Sequence, residues 1–329
     1  MDFCAGIGAG RLGLEMAGAK SLGYSEILSS SVKTYNLIHN TENEKNWGDL
    51  TTIDTSKLPS FDVMVAGFPC QSFSIVGQRR GLNDERGQII YHLIRILKDK
   101  NVPYFILENV KGLVNHDKGN TLRVILDELD KVGYYVEYRV LNSIDFGVPQ
   151  MRERIYFIGI RKDLKKDLDF DWVNTVKIPS LEKYLCDPNS TILNKDDSTL
   201  QRYLNNKYNS GKFDIEKLLK EEYLVLDTRQ SDLRLYRGRV PTLRTGRHGI
   251  LYVRDGELHR ISGFESLLLQ GFNEKQARAA TGVVPEQQLL SQAGNAMTAN
   301  VMGQLAKSLL KFTLVYIVGV TTKLLSCVV

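Results

Sequence analysis

Residues 4–18 read "CAGIGAGRLGLEMAG", a glycine-dense turn that runs straight into a helical pattern. Glycines at 6, 8 and 10 let a backbone come close to a ligand, and the first N–H groups of the following helix supply donors. By itself such a turn fits a plain tight bend as well as the opening of a doubly wound α/β domain. The chain that follows favours the domain. Up to about residue 162, short apolar runs alternate with segments of helical period. "SLGYSE" (21–26), "FDVMVAG" (61–67), "YFILEN" (104–109), "VEYRVLN" (136–142) and "RIYFIGI" (154–160) read as strands, and 28–39, 87–99 and 119–132 as helices. The last helix has Asn120 near its start, Leu122, Ile125, Leu126 and Leu129 as its apolar positions, and Gly133 as its stop. The final two strands are too closely joined for a parallel crossover, so they are expected to pair antiparallel.

Two acids extend the picture. Glu26 ends the second strand, where a carboxylate can grip a nucleoside ribose, and Asp49 in "GDLTTI" is expected to end a third, within reach of an adenine amino group. Three strand ends then face one adenosine-containing ligand. The spacing allows NAD or S-adenosylmethionine and does not choose between them.

A chain of 329 residues, 43% hydrophobic, has room for one main domain plus a second or a large insertion. From 163 to 225 the texture turns to Lys, Asp, Asn and Leu without a period, with helical pieces such as "DIEKLLKEEYL" (214–224). Residues 229–247 then hold six arginines (229, 234, 237, 239, 244, 247), no lysine and one acid, Asp232. Forked recognition of phosphates and guanine edges fits that cluster, with a solvated basic face as the plainer alternative. A strand-like "GILYVRDG" (249–256) follows, then helical patterns at 262–271 and 296–311, the latter with Val301, Leu305, Ala306 and Leu309 on a face expected to pack back onto the first domain. Four cysteines (4, 70, 186, 327) without CxxC spacing argue against a disulfide framework or a zinc site, so no metal is expected and a reducing, cytoplasmic setting is. The ends are unusual. The glycine turn comes almost at the first residue, which suggests a trimmed N-terminus. The run "FTLVYIVGV" (312–320) is nine residues, short of the roughly 20 that a bilayer span needs.

Three further blocks carry chemistry. In "VAGFPCQSFSIVGQRRGLNDERG" (65–87) a strand ends in a Pro-Cys pair. A free cysteine is often an inert small hydrophobe. Here Gly77, Gly81 and Gly87, with Arg79, Arg80 and Arg86, argue against burial and suit a basic lid closing over a polyanion, which leaves open whether Cys70 attacks anything. "FILENVKGL" (105–113) delivers Glu108 at a strand end, as an arginine's partner or as a proton handler with a raised pKa. "GVPQMRERIYFIG" (147–159) sets Gln150, Arg152 and Arg154 at every second position, which on a strand is one face.

Together, in this order, the blocks resemble the cytosine-5 DNA methyltransferase family of bacterial restriction-modification systems. "CAGIGAG" looks like its F-x-G-x-G motif, "GFPCQSFS" its Pro-Cys-Gln motif, "ENV" its Glu-Asn-Val motif, "QMRER" its Gln-x-Arg-x-Arg motif and "AGNAMTANV" (293–301) its Gly-Asn-[Ser/Ala] motif. The resemblance covers residues 2 to about 160 and 240–311, leaving the segment between as the family's variable target-recognition region. It departs from the pattern at Cys4, where the family usually has Phe, at Ala9 for a common glycine, and at Ile27, often an adenine-stacking aromatic.

The resemblance implies a doubly wound, Rossmann-like, S-adenosylmethionine-dependent α/β domain (1–165 plus 294–312). A smaller, mostly irregular or β target-recognition domain (166–260), connecting helices (261–293) and an atypical tail (313–329) would complete the chain. Cys70 would add to carbon 6 of a flipped-out cytosine and Glu108 would serve ring nitrogen 3, while Arg154 would hold the base carbonyl with Arg152 in support. The cofactor site would comprise Cys4, Gly6, Ile7 and Gly8 at the turn, Glu26 on the ribose, Asp49 on the adenine, Pro69 beside the sulfonium and Asn295 near the methionine moiety. Arg86, Gln150, Arg229, Arg234, Arg237, Arg239 and Thr242 would contact double-stranded DNA, Thr242 at the phosphate beside the flipped nucleotide. The enzyme would be a monomer on the nucleoid, paired in function but not in contact with a restriction endonuclease. A tRNA cytosine-5 methyltransferase and an inactive DNA-binding remnant are the alternatives.

Overall fold

The computed structural model describes residues 1–69, 89–164, 169–172, 176–246 and 248–311. Cys70, Arg86, the lid at 70–88, Arg247 and the tail from 312 lie outside the described residues.

Strand β1 (Asp2–Phe3) leads through the glycine turn into helix α1 (Ala9–Met16). The alternation continues with β2 (Tyr24–Ser25), α2 (Ser29–His39), β3 (Val63–Gly67), α3 (Ile89–Lys100), β4 (Tyr104–Val110) and α4 (Asn120–Lys131). Strands β5 (Tyr134–Asn142), β6 (Gln150–Met151) and β7 (Glu153–Arg161) follow. Six of these strands form one sheet in the order β2-β1-β3-β4-β7-β5. The first four are parallel, and β7 runs antiparallel to both β4 and β5, as the short connection requires.

Side chains alternate across this sheet with period 2, so each strand feeds two cores. Val63, Val65, Tyr104, Ile106, Tyr156 and Ile158 pack on one face with α1 and the C-terminal helix; Met64, Ala66, Phe105, Leu107, Ile155 and Phe157 pack on the other with α3 and α4. This two-sided burial is what makes the central runs almost continuously apolar.

Beyond the sheet come β8 (Ile192–Leu193), α5 (Ser198–Leu204), α6 (Ile215–Leu218), β9 (Val225–Asp227), β10 (Arg234–Tyr236), β11 (Val240–Pro241), β12 (Ile250–Arg254) and β13 (Glu257–Arg260). Five of them make an antiparallel sheet, β10-β9-β12-β13-β8, with its own core of Leu200, Leu204, Leu224, Leu226, Leu233, Leu251, Val253 and Leu258. Helices α7 (Gly263–Leu269), α8 (Glu274–Ala280) and α9 (Glu286–Asn295) follow, and α10 at 299–311 returns to the first sheet. A Cβ added at Gly13 of α1 would sit 2.3 Å from Met302 Cβ, so glycine is what lets α1 and α10 touch.

Three local expectations change. Asp49 ends no strand: it caps a short 3-10 turn, Leu50–Thr52, its carboxylate accepting from the Thr51 N–H. The helix expected over 214–224 is limited to the four residues of α6. Gln150, Arg152 and Arg154 do not share a strand face, because Arg152 interrupts the chain between β6, which pairs with β11, and β7 in the main sheet.

At the centre of β7, a Cβ on Gly159 would lie 2.0 Å from the Phe105 ring. Gly159→Ala is therefore expected to destabilise the protein by about 1–3 kcal/mol through overpacking, visible as a lower melting temperature. A wild-type melting curve would contradict this packing.

Candidate active site

The carboxyl ends of β1, β3 and β4 lie side by side, and β7 begins next to them. Register sets the contacts: Gly67 is opposite Glu108, Glu108 opposite Tyr156, and Val110 opposite Arg154. Glu108 is buried, with Arg154 Nε 3.2 Å from its Oε1. That pair is electrostatic more than directional, since Oε1 makes no aligned hydrogen bond. Burial raises the Glu108 pKa above the usual carboxylate range, while Arg154 and Arg152 pull part of it back. Oε2 faces Gly67, where an added Cβ would come within 3.4 Å.

Asn109, read in the sequence only as part of its motif, is what joins β4 to the prolyl turn. Its Nδ2 donates to the Phe68 carbonyl at 2.9 Å and its Oδ1 accepts from the Val110 N–H at 2.8 Å. A short amide at a strand end beside a Phe-Pro turn was the available signal, because such a turn leaves carbonyls to satisfy. Pro69 is exposed at this end of the sheet.

The glycine turn is built from left-handed residues: Cys4, Gly6 and Gly8 have φ of 51°, 55° and 82°. The Gly6 N–H donates to Glu26 Oε2 and the Leu28 N–H to Glu26 Oε1, both at 2.8 Å. Beneath the turn, the His39 ring stands against Gly8, where an added Cβ would clash at 2.2 Å, and its Nε2 lies 3.2 Å from the Ile7 carbonyl. Tyr35 stacks on Tyr24 at 3.8 Å and takes the Arg11 guanidinium over its ring. Ile7 is buried, Ile27 is 68% exposed, and Asn295 is exposed at the end of α9.

Several residues expected to meet DNA are committed elsewhere. Gln150 is wholly buried; it donates to the Leu269 carbonyl at 2.9 Å and accepts from the Leu243 N–H at 3.1 Å. This corrects its assignment as a DNA contact. Arg229 is likewise corrected: its guanidinium is 4% exposed, forks onto Asp227 at 2.7 and 2.8 Å, and donates to the Thr242 carbonyl. Arg152 is buried too, donating to the carbonyls of Leu243, Gly294 and Ala296, so it positions the site from within and does not line it. Arg234 pairs with Asp232 and Arg237 with Glu221 on exposed surface, where such pairs break cheaply. Arg239 and Arg244 are exposed and have no partner among the described residues. Thr242 is half-buried, its hydroxyl donating to the Met151 carbonyl.

A family model described as C-5 cytosine-specific DNA methylase matches residues 1–311. The orphan methyltransferase M.Rho11sI of Bacillus phage rho11s is 48% identical over 166 residues, covering 50% of this chain and 33% of the relative. The type II methyltransferase M.HaeII of Haemophilus aegyptius is 46% identical over 159 residues, covering 48% and 49%. The chain thus spans between a third and a half of the length of these relatives. Among solved structures, a DNMT2 mutant of Spodoptera frugiperda aligns with a TM-score of 0.66 at 18% identity, covering 95% of this chain and 98% of that one, which establishes the shared fold.

The family's cofactor is S-adenosylmethionine, and the turn fits it. Glu26 has lone pairs left for ribose hydroxyls beyond the two N–H groups it accepts, and nothing lies within 4 Å of a Cβ added at Gly6, so the backbone there is open to a close-lying ligand.

The turn's support is pH-sensitive. Burial, and then Arg11, lower the His39 pKa from 6.5 to about 4. A base whose folded pKa is depressed contributes stability that is complete above its unfolded value and is lost as pH falls towards the folded one. Melting temperature is therefore expected to fall between pH 6.5 and pH 4, with His39 contributing up to roughly 3 kcal/mol. His39→Gln should flatten part of that slope, and an unchanged slope would show that His39 does not carry it.

Proposed function

The chain belongs to this family of cytosine-5 DNA methylases, and on that premise we propose that it methylates carbon 5 of a cytosine within a specific double-stranded DNA sequence. One observation carries the reading: register places buried Glu108 beside Arg154 and across from the end of the strand that leads to Pro69-Cys70. A carboxyl with a raised pKa next to a cation can both hold a base edge and give it a proton.

Carbon 5 of cytosine is a poor nucleophile until a thiolate adds at carbon 6. Cys70 Sγ forms that bond, electron density moves onto the ring, and Glu108 gives a proton at nitrogen 3. Arg154 donates to the base carbonyl, and Arg152, locked to three carbonyls, keeps the segment beneath it in place. S-adenosylmethionine, when bound, supplies an electrophilic methyl group. Water takes the carbon-5 proton, the electron pair left behind expels Cys70 as the thiolate, and nitrogen 3 returns its proton to Glu108. The base must leave the duplex for these atoms to meet, at a cost on the order of a few kcal/mol.

In this reading Cys4, Gly6, Ile7 and Gly8 line the cofactor's site, with Glu26 on its ribose and Asp49, Pro69 and Asn295 around it. Residues 1–165 with 294–312 form the catalytic unit, and 166–260 the target-recognition unit, joined by 261–293. Arg86, Arg234, Arg237, Arg239 and Thr242 face DNA. The type II name of one relative supports a role as the modification partner of a restriction endonuclease in the bacterial cytoplasm, acting as a monomer. Among the described residues no helix is long and apolar enough to cross a membrane.

Bisulfite sequencing of DNA from a host expressing the chain tests the reading, with purified tRNA assayed in parallel. Methylated cytosines in one sequence context are expected, and transfer to tRNA alone would overturn it. Cys70→Ser should abolish transfer. Glu108→Gln should lower the single-turnover rate roughly 10²- to 10⁴-fold. Because Glu108 acts protonated and its pKa is raised, the wild-type rate should fall on the alkaline side, and Glu108→Gln should lose that limb of the profile.

A further inference from the structure

Four polar groups of the dipeptide Thr242-Leu243 are engaged. The Thr242 hydroxyl donates to the Met151 carbonyl, the Leu243 N–H to Gln150, and the Leu243 carbonyl accepts from Arg152. Those three contacts come from one short stretch, 150–152, next to the catalytic sheet. The fourth group, the Thr242 carbonyl, accepts from Arg229 Nη1 at 2.7 Å, and Arg229 follows β9 of the other sheet by two residues. Asp227, the last residue of β9 and the register partner of both Arg234 and Ile250, holds the guanidinium with both carboxylate oxygens and also accepts the Arg229 N–H at 3.1 Å. Next door, a Cβ on Gly249 would meet Thr228 Oγ1 at 2.7 Å and Arg229 Cγ at 3.2 Å. The guanidinium therefore has a tightly fitted seat.

We propose that Arg229 is a positioning residue: it ties Thr242-Leu243 to the end of β9 in the five-stranded sheet and so fixes where the exposed segment 244–246, next to the Leu243 carbonyl that Arg152 holds, stands. The proposal rests on the DNA methyltransferase reading for its functional consequence, but the clamp itself does not. Lysine cannot replace arginine here, since one ammonium cannot fork onto Asp227 and reach Thr242 together. On the other side the segment is seated just as closely, a Cβ at Gly294 coming within 2.4 Å of the Thr245 nitrogen. Segment 244–246 is thus held between α9 and the Arg229 clamp, and loosening one side frees it to shift.

The test uses the full chain carrying Arg229→Lys. Amide exchange at Leu243 and across 244–246 is expected to speed up at least tenfold, with melting temperature and S-adenosylmethionine affinity near wild type. Unchanged exchange would overturn the clamp whether or not the protein methylates DNA. On duplex substrate, KM for DNA should rise about tenfold and discrimination against one-base variants of the methylated site should fall, with the saturated single-turnover rate largely kept. The salt dependence of DNA binding should stay as in wild type. A slope reduced by about one would mean that Arg229 neutralises a phosphate itself, and would overturn the positioning role. If wild-type protein neither binds nor methylates duplex DNA, it is the functional reading that fails, and the exchange result still decides the clamp.

Discussion

A single buried cation holds the working parts of this protein to one another. Arg152 reaches the carbonyls of Leu243, Gly294 and Ala296, residues that lie 91 to 144 positions further along the chain. A guanidinium out of water is costly unless its donors are used. Once it is buried, the three carbonyls must stay where they are, and with them the ends of α9 and of the segment after β11. Gln150 completes the arrangement through Gln270, Thr298 and Ser143. The result is a buried polar chain in which most donors meet the next acceptor, Arg152 Nε being the exception. Such networks impose one arrangement where an apolar interface would tolerate several.

The electrostatics at the site follow from the same packing. Glu108 has two arginines nearby, yet burial still outweighs them and its pKa rises. Had Arg152 pointed at the carboxylate, Glu108 would be held as a plain ion-pair anion. With Arg152 committed to backbone carbonyls, only Arg154 is in direct contact, and at an angle that leaves Oε1 without an aligned bond. The Glu108 pKa is thereby raised and not lowered, the direction that the proton-donor role proposed for it calls for.

Much of the fold was legible in the sequence because it rests on local periodicity. The apolar runs at 61–67, 104–109 and 154–160 became β3, β4 and β7, and the tight join before β7 dictated its antiparallel course. The glycine turn and Glu26 were legible for a similar reason, since a left-handed turn needs glycine and its N–H groups need an acceptor nearby. Gln150 and Arg229 were misplaced, and Arg152 was set on a strand face that it does not share, because their surroundings depend on distant partners. Alternation along "QMRER" gives the same pattern whether or not the strand breaks at Arg152. An arginine cluster likewise looks uniform in sequence until Asp227 draws one member inward. Asp49 misled for a local reason: an aspartate followed by two threonines caps a turn as readily as it ends a strand.

Cys4 shows how this chain accommodates a departure within the site. It takes a left-handed conformation that costs a non-glycine residue roughly 1–2 kcal/mol, and a small side chain suits that position better than a large one. A second thiol so close to the cofactor turn could compete for electrophiles if it ionised. Burial, followed by the charges of Glu26, Asp2 and Asp49, pushes its pKa up to about 12, so it remains a protonated thiol throughout the physiological range. Because only the thiolate is strongly nucleophilic, Cys4 is chemically silent there. The carboxylate that grips the ribose in the proposed site, Glu26, is also the largest charge holding that thiol neutral. In the proposed site, the side chain assigned to the ribose thus also helps burial to keep this thiol protonated.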